Sequence, residues 1–234
     1  VYLDAAREAR FYPAWDAATN TPTGPTTVVR DDWARGYVET LTMSATPAVS
    51  SGRPTGAEAV SGVLTLARAH RNAAGQTVAA DAYFDLSGLT YTTSSSPGAA
   101  GTNYYRTALG YDRAGRPNKV VAPDGTIARV VYDGLGRPVG EYVGTDDTPT
   151  TGFWSPANLA GTDTVLVRAY EYDGGGVGDS HLTSLTEYPG GGAAARVTRA
   201  WHDWRGRAVA VKLGAETTES TSLDRPLTYT DFDN

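Results

Sequence analysis

With 234 residues, the chain is long enough to bury a core, in one large domain or in two smaller ones. Its 26 acidic and 20 basic side chains give a formal net charge of −6, which argues against a nucleic-acid partner. The absence of cysteine excludes disulfides, thiol catalysis and cysteine-bound zinc, and no apolar run approaches the roughly 20 residues of a membrane-spanning helix.

The first sixty residues carry few regular signals. Residues 3–10 (LDAAREAR) could form two helical turns, whereas residues 14–30 are polar and contain prolines, which indicates a loop. Residues 37–43 (YVETLTM) alternate with the period of a β-strand. We therefore expect residues 1–61 to be an atypical N-terminal segment with a loop insertion, at the start of the same sheet as the rest of the chain.

Beyond residue 61, short runs alternate between the two faces of a predicted strand. These runs occupy residues 62–70, 77–84, 126–133, 165–173, 181–188 and 207–214. Glycine and proline clusters such as "APDGT" and "YPGGG" separate them, as is typical of turns. Residues 144–162 leave the alternating pattern and are predicted to be a second loop insertion.

One short pattern recurs along this region: an aromatic residue, an acidic residue, two variable residues and a glycine. In the stretch YDRAGRPNKVVAPDGTIARVVYDGLGRP it occurs twice, each time with arginine after the glycine. The residues that carry it are Tyr111, Asp112, Gly115 and Arg116; Tyr132, Asp133, Gly136 and Arg137; Tyr172, Asp173 and Gly176; and His202, Asp203, Gly206 and Arg207. A further copy consists of Phe84, Asp85 and Gly88, a truncated copy begins at Phe232, and a weaker relative has Asn72 in the acidic position and Gly75. The spacing between copies is uneven, which favours hairpins of variable length over a regular solenoid.

Each residue of the pattern has a role in a β-hairpin. Aspartate at the first position of a type I turn accepts backbone N–H groups, and glycine at the fourth position adopts the positive φ of a bulge. The tyrosine ends one strand, and the arginine begins the next, where its guanidinium can lie over a ring or pair with a carboxylate. The sequence thus predicts an all-β fold of antiparallel hairpins in one long curled sheet, with residues 62–234 as the repeat region.

The repeated aspartates could also be read as glycosidase carboxylates. Glycosidases need two carboxyl groups at a set separation across one cleft. Aspartates at the same position of successive turns would instead line the rim of a sheet, so turn capping is the preferred interpretation. We predict no catalytic residue here.

Other chemistry-bearing residues give weaker signals. The three histidines, His70, His181 and His202, lack metal-ligand spacing, and the sequence predicts neither a metal nor a cofactor. The acidic pair Asp146-Asp147 is interpreted as a solvated loop pair, with weak calcium binding as the alternative. Two tryptophans in predicted loops and turns, Trp154 and Trp204, are weak candidates for stacking on glycans, against cross-strand packing as the plainer use.

The repeats resemble the YD repeat of the Rhs and teneurin proteins, over roughly residues 65–234. Proline at Pro117 and Pro138 departs from that family, which often has leucine after the arginine. The resemblance implies a long antiparallel sheet wound into a hollow β-shell, which encloses a C-terminal toxin in bacterial relatives and belongs to an adhesion ectodomain in animal relatives. Some relatives carry an autoproteolytic aspartate segment; its signature does not occur here, so no catalytic residue is transferred.

The resemblance implies a non-enzymatic structural module of a secreted or cell-surface Rhs/YD-repeat protein, located outside the cell or on its surface. Its hairpins would form a wall of an encapsulating or extended β-shell. The alternative is a carbohydrate- or cell-surface-binding adhesion module, and a polysaccharide hydrolase ranks third. Expected partners are the remainder of the same polypeptide or neighbouring chains through sheet edges, with an encapsulated C-terminal cargo where the shell encloses one. The repeat that begins at Phe232 predicts that the chain is a fragment of a larger repeat protein.

Overall fold

The computed structural model describes residues 1–3, 7–176, 178–214 and 227–232. Within these residues the strands are β1 (Tyr2–Leu3), β2 (Glu8–Phe11), β3 (Ala14–Asp16), β4 (Thr21–Thr23), β5 (Thr26–Asp32), β6 (Tyr37–Met43), β7 (Val49–Ser50), β8 (Arg53–Pro54), β9 (Val63–Arg71), β10 (Thr77–Tyr83), β11 (Tyr104–Tyr111), β12 (Pro117–Val121), β13 (Ile127–Tyr132), β14 (Pro138–Gly144), β15 (Val165–Tyr172), β16 (Leu182–Glu187), β17 (Arg196–His202), β18 (Ala208–Lys212) and β19 (Leu227–Tyr229). One turn of 3₁₀ helix covers Asp173–Gly175.

Fifteen of these strands form one antiparallel sheet, in the order β1-β2-β5-β6-β9 and then β10 to β19 in sequence. Two small hairpins, β3-β4 and β7-β8, stand apart from it. The prediction of an all-β fold built as a long antiparallel sheet is confirmed. The chain divides into two compact units, the first comprising residues 1–110 and 120–124 and the second comprising residues 111–119 and 125–234.

The core of the first unit lies on one face of β5, β6 and β9. Val28, Leu41 and Leu66 are cross-strand partners in successive strands, and all three side chains are buried together with Met43. Burying an aliphatic side chain of this size stabilises the fold by roughly 1.5–3 kcal/mol. This apolar row fixes the register, because a shift by one residue would turn it to the opposite face.

The N-terminal segment differs from the sequence-based prediction in two places. The helix predicted over residues 3–10 is wrong where it can be compared, because residues 8–11 form β2 and pair with β5; residues 4–6 lie outside the described part. Glu8 and Arg10 are both buried on the same face of β2, which is the period of a strand. Glu8 and Arg10 pair with each other, and their further ion-pairing partners lie elsewhere in the chain, so apolar alternation does not mark this strand.

The loop predicted over residues 14–30 is also wrong. It contains β3, β4 and the start of β5. Pro22 lies in β4 opposite Trp15, in a two-stranded hairpin where a missing N–H donor is tolerated. By contrast, the predicted insertion at residues 144–162 fits the structure, since β14 ends at Gly144 and β15 begins at Val165.

The second unit contains a run of successive hairpins from β13 to β18. Three of its strand pairs carry a register shift immediately before a repeat aspartate, at Tyr132, Tyr172 and His202. Such a shift is a β-bulge, which increases the local twist of the strand. The turns that begin at Asp133, Asp173 and Asp203 therefore follow the same kind of irregularity in the sheet.

Candidate functional site

Four copies of the repeated pattern each form the turn between two consecutive strands: β11 and β12, β13 and β14, β15 and β16, and β17 and β18. We name them repeat turn 1 (residues 112–116), repeat turn 2 (133–137), repeat turn 3 (173–181) and repeat turn 4 (203–207). Repeat turns 1, 2 and 4 share one geometry: the glycine N–H donates to the aspartate carbonyl at 2.9–3.1 Å, and the aspartate N–H donates to the arginine carbonyl at 2.9–3.0 Å. The turn glycines are Gly115, Gly136 and Gly206, with φ of 77°, 85° and 76°.

The aspartate of each such turn is fully engaged within its own turn. In repeat turn 1, Oδ1 of Asp112 accepts the backbone N–H groups of Ala114 and Arg116, and Oδ2 accepts Nε of Arg116 at 2.7 Å. The backbone N–H of Arg116, followed by its guanidinium, lowers the pKa of Asp112. Asp133 and Asp203 make the same three bonds. A carboxylate saturated in this way stabilises a turn and is not free to take part in acid–base catalysis.

The arginine of each turn also reaches the next repeat. The guanidinium of Arg116 lies 4.5 Å from the ring centroid of Tyr132, and that of Arg137 lies 4.4 Å from the ring centroid of Tyr172. Arg207 lies 4.3 Å from the centroid of Phe232. Each arginine thus pairs with its own aspartate and stacks on an aromatic residue of the next copy of the pattern. We call this contact the turn-to-turn joint.

Repeat turn 3 departs from the pattern. Its loop is longer, and the backbone N–H of Asp173 donates to the carbonyl of His181, so that His181 occupies the place of the arginine. Gly174 and Gly175 carry the positive φ, rather than Gly176. The ring of His181 stacks on His202 with centroids 4.6 Å apart and an interplanar angle of 16°. Sequence reasoning treated these histidines as scattered; only the pairing of β15 to β18 brings them together.

The copies of the pattern at Asn72 and at Phe84 differ from each other in structure. At Asn72, the side-chain Oδ1 accepts the N–H groups of Ala74 and Gln76, so this is the same turn with asparagine and glutamine in place of aspartate and arginine. At Phe84 the pattern does not close a tight hairpin. It begins a long segment, residues 84–103, which we call the covering segment.

A row of alternating charges crosses the first unit beneath the covering segment, and sequence reasoning missed it. Six residues are direct cross-strand partners in six adjacent strands. In strand order they are Glu8, Arg30, Glu39, Arg68, Asp81 and Arg106. We call this set the buried charge row. The signal that could have revealed it is a charged residue within each of these strands, alternating in sign from strand to strand.

The ion pairs of the buried charge row are short, and most are shielded from solvent. Arg30 bridges Glu8 and Glu39, with 2.6 Å between paired atoms on each side. Arg68 donates through Nε to Glu39 at 2.9 Å, and both of these side chains are fully buried. A buried pair of this kind contributes little net stability over an apolar pair, but losing one partner is costly. The row therefore fixes which strands are neighbours and in which register.

The covering segment provides the remaining partners of the row. Nη1 of Arg68 donates to the carbonyl of Ser95, and the guanidinium lies between the rings of Tyr37 and Tyr91, 4.7 and 5.7 Å from their centroids. The Tyr91 hydroxyl donates to Glu39. Burial and this bond raise the pKa of Tyr91. Backbone carbonyls and hydroxyl groups thus complete the coordination of the buried charges.

One end of the row contains a serine, a histidine and an aspartate in contact. Oδ2 of Asp81 lies 2.9 Å from Nε2 of His70 and 2.8 Å from Oγ of Ser96, and Arg106 holds both oxygens of Asp81. Burial alone would raise the pKa of Asp81, but the bonds from Arg106, His70 and Ser96 lower it. Catalysis by such a triad requires the histidine to bridge serine and aspartate through opposite nitrogens. Here Nε2 of His70 faces both Asp81 and Ser96, which is not the geometry of such a triad.

The two tryptophans singled out as glycan candidates lie in different environments. Trp154 donates through Nε1 to Thr164 at 3.0 Å, meets Tyr142 edge to face at 5.2 Å, and has Arg129 over its ring at 4.4 Å. Trp204, at the tip of repeat turn 4, is 80% exposed. The guanidinium of Arg205 lies 4.5 Å from its ring centroid, so of the two tryptophans only Trp204 is largely exposed, with a cation over one face.

The acidic pair in the second insertion does not behave as one unit. Asp147 is buried and binds Nζ of Lys119 at 2.9 Å and Nε of Arg129 at 2.6 Å. Interpreting it as a solvated residue is therefore wrong, because two cations from neighbouring strands neutralise it. Asp146 remains exposed and accepts the N–H of Thr148.

A second row of alternating charges lies in the second unit, and this one is open to solvent. Glu141, Arg168, Glu187 and Arg196 are direct cross-strand partners in β14 to β17. Arg168 lies 3.5 Å from each of its two glutamates, and its side chain is half exposed. We call this set the exposed charge row; it provides an internal comparison for the buried charge row.

Within the described ranges, no three side chains of the metal-binding types cluster closely enough to hold a metal ion. In the same part of the chain, no helix is long and apolar enough to cross a membrane.

No protein-family model matches the chain, and no curated protein matches it significantly. Solved structures do match. The crystal structure of TcdB2-TccC3-Cdc42 shares 14% identity at a TM-score of 0.34, over 90% of this chain and 10% of that chain. The crystal structure of TcdB2-TccC3-TEV shares 14% identity at a TM-score of 0.30, over 92% and 12%.

The Photorhabdus luminescens Tc holotoxin pore with a mutant TccC3 shares 16% identity at a TM-score of 0.30, over 92% of this chain and 12% of that chain. The chain thus spans about a tenth of the length of the structures it matches. These TM-scores are below the level at which a common fold follows.

Proposed function

We propose that this chain is a non-enzymatic structural module of the Rhs/YD-repeat kind, whose hairpins form part of the wall of a β-shell. The observation that carries the proposal is the turn-to-turn joint. In repeat turns 1 and 2 the same arginine pairs with its own aspartate and stacks on the next tyrosine. Such a joint links each hairpin to the next and needs no ligand.

The repeat carboxylates support this reading over a hydrolase. A glycosidase needs one carboxyl group that can hold a proton and a second one across a cleft. Asp112 and Asp133 are each held by two backbone N–H groups and an arginine, and the backbone N–H of the arginine leads the groups that lower the pKa of each. These bonds therefore stabilise the ionised form of both aspartates, as is expected of a residue that caps a turn.

The wider role follows from the family that the motif resembles. In the proposal the module belongs to a larger secreted or cell-surface polypeptide, and its sheet edges pair with the rest of that polypeptide or with neighbouring chains. An exposed edge strand offers unpaired N–H and C=O groups for such pairing. A shell of this kind could hold a C-terminal cargo.

The experiment that tests the proposal is electron microscopy of the full-length polypeptide that contains this chain. A hollow particle with these strands in its wall is the expected result. The same experiment includes a double variant, Arg116→Ala with Arg137→Ala, which removes both arginines of the joint. Its control is Arg113→Ala, because Arg113 lies at a turn tip outside the joint. A solid particle, or a hollow one with these residues outside the wall, would overturn the proposal.

A second candidate function is an adhesion module that binds glycans, and the exposure of Trp204 favours it. Aromatic rings that stack on sugars must present an open face. Glycan-surface retention should fall on Trp204→Ala if this function is correct, while Trp154→Ala at a packed position gives the control for general damage. Absence of retention by the wild-type chain on every surface tested would remove this candidate.

A further inference from the structure

The joint between repeat turns 3 and 4 consists of two imidazoles, whereas the other joints consist of an arginine and an aromatic ring. Arg116 lies over Tyr132, Arg137 over Tyr172 and Arg207 over Phe232. At the corresponding place, the ring of His181 stacks on the ring of His202. In this joint, histidine therefore stands in place of both the arginine and the aromatic residue.

The two kinds of joint occupy the same place against the following turn. A Cβ atom added to Gly136 in repeat turn 2 would lie 3.3 Å from Nη1 of Arg116. A Cβ atom added to Gly206 in repeat turn 4 would lie 2.7 Å from Cε1 of His181. In each case the side chain from the preceding turn rests on the positive-φ glycine. His181 thus fills the position of the guanidinium, between the turn glycine and the ring of His202.

The replacement changes how the joint responds to acid. Arginine remains charged throughout the range in which proteins are folded, so an arginine–aromatic joint keeps one charge state. Histidine is the side chain that changes its charge between about pH 5 and 8. Two neutral imidazoles can stack face to face, whereas two imidazolium rings at 4.6 Å repel each other.

The environment of His202 adds a second penalty on protonation. Its Nδ1 atom is buried and has no hydrogen-bond partner within the described residues. A neutral ring can leave this nitrogen without a proton, but an imidazolium carries N–H on both nitrogens. Protonation would therefore bury a donor without an acceptor.

The charged groups near the joint lie on the two turns and on the strands that flank them. Those on the two turns are Asp173, Asp179, Asp203, Arg205 and Arg207, and those on the flanking strands β15 to β18 are Arg168, Glu171, Glu187, Arg196, Arg199 and Lys212. Asp173 accepts bonds from Arg137 and from the N–H groups of Ser180 and His181.

Asp203 accepts bonds from Arg207 and from the N–H of Arg205, and the cross-strand partner of His202 is Ala208. The carboxylates of Asp173 and Asp203 are thus not free counter-ions for an imidazolium.

We propose that the His181–His202 pair is an acid-sensitive joint in this sheet. In the stacked arrangement, the mutual repulsion of two charged rings and the buried Nδ1 of His202 oppose protonation of the pair, and neither opposes it once the rings have separated. By linkage, the closed joint is stable above the histidine range and loses stability as the pH falls through that range. Repeat turns 3 and 4 then separate locally, while the arginine joints stay closed. This goes beyond a role as wall, since it identifies the place where the wall opens first in acid.

The test is amide hydrogen exchange of the 234-residue chain between pH 7.5 and 5.5, corrected for intrinsic exchange. The reporting amides are those of Asp173 and Asp203, which close repeat turns 3 and 4, and that of Asp133 in repeat turn 2 is the internal control. We expect the opening constant at Asp173 and Asp203 to rise by up to about tenfold per pH unit for each proton taken up, with no such rise at Asp133. Equal changes at all three amides, or none, would overturn the proposal.

Two double variants make the test independent of the wild-type result. His181→Arg with His202→Tyr rebuilds the joint of the neighbouring turns and should abolish the pH response at Asp173 and Asp203. Arg137→His with Tyr172→His transfers the histidine pair to the preceding joint and should create a pH response there. The assignment is contradicted if the pH response persists in the first double variant. It is also contradicted if the second double variant shows no pH response at its new histidine pair. Should the rebuilt variant not fold, the transfer variant decides.

Discussion

Nη1 of Arg137 donates a hydrogen bond to Oδ2 of Asp173, 36 residues further along the chain, at 3.0 Å. The same guanidinium donates through Nε to Asp133, its own turn aspartate, at 2.7 Å. One planar guanidinium therefore holds two turns at once through two separate nitrogens, a geometry that the single ammonium nitrogen of lysine does not reproduce. The relationship explains why arginine follows the turn glycine.

The first prediction concerns this double contact. Arg137→Lys should lower the midpoint of thermal unfolding, because the fork to Asp133 and Asp173 and the stacking on Tyr172 are lost together. Arg113→Lys, at a turn tip, should leave the midpoint unchanged. Differential scanning calorimetry of the two variants checks the difference. Equal midpoints would show that the joint does not contribute to stability.

The second prediction concerns the turn glycines. Gly136 has a φ of 85°, and Gly115 a φ of 77°. A β-branched side chain is strained in this region, so Gly136→Val and Gly115→Val should each destabilise the fold by about 1–3 kcal/mol. Gly134→Val in the same turn, at a glycine without positive φ, is the control. Urea unfolding measures the change, and wild-type stability in both variants would refute the turn assignment.

The third prediction compares the buried charge row with the exposed charge row. Arg68→Met leaves Glu39 buried beside a single remaining arginine, so it should cost about 3–5 kcal/mol of unfolding free energy. Arg168→Met is the matched substitution in the exposed charge row and should change stability little. Chemical denaturation of both variants provides the comparison. A similar loss in both would mean that burial under the covering segment is not what makes the buried charge row costly to break.

The fourth prediction is an acid dependence that originates in Glu58. Burial alone would raise the pKa of Glu58, but bonds from the N–H of Ala48 and from the side chains of Tyr12 and Arg10 lower it to about 2. The lowered pKa stabilises the folded state above the unfolded-state pKa, and this contribution is lost as the pH falls from about 4.5 towards 2.

Glu58→Gln should flatten the stability profile in this window, with an effect on the order of 3 kcal/mol at most. Urea midpoints measured between pH 2 and pH 5 test this. An unchanged profile in the variant would assign the acid dependence to other carboxylates.

The fifth prediction separates the two tryptophans. Trp154 packs against Tyr142 and Arg129, so Trp154→Ala should destabilise the fold by about 1–3 kcal/mol. Trp204 is largely exposed, so Trp204→Ala should leave the unfolding midpoint within error. Thermal unfolding monitored by circular dichroism checks both, and the reverse order of effects would contradict the placement of these rings.

Much of the second unit could be predicted because its signals are local. The period-two alternation before Tyr132 and before Tyr172 marks a strand, and the residues from Asp133 to Arg137 close a turn with their own backbone and side-chain groups. A strand hidden by charges could not be predicted in the same way. At Glu8, apolar residues do not mark the buried face, because Arg10 of the same strand and Arg30 of the neighbouring strand neutralise it.

What the sequence alone determined is therefore the all-β class, the hairpin positions and the residue types of the repeat turns, since each depends on contacts within a few residues. Only the tertiary structure decided which strands are neighbours. That pairing assembled the buried charge row around Glu39 and Arg68, enclosed Trp154, and placed His181 on His202. These contacts join residues far apart in sequence, and their energies depend on desolvation and on cross-strand register, neither of which exists until the sheet has formed.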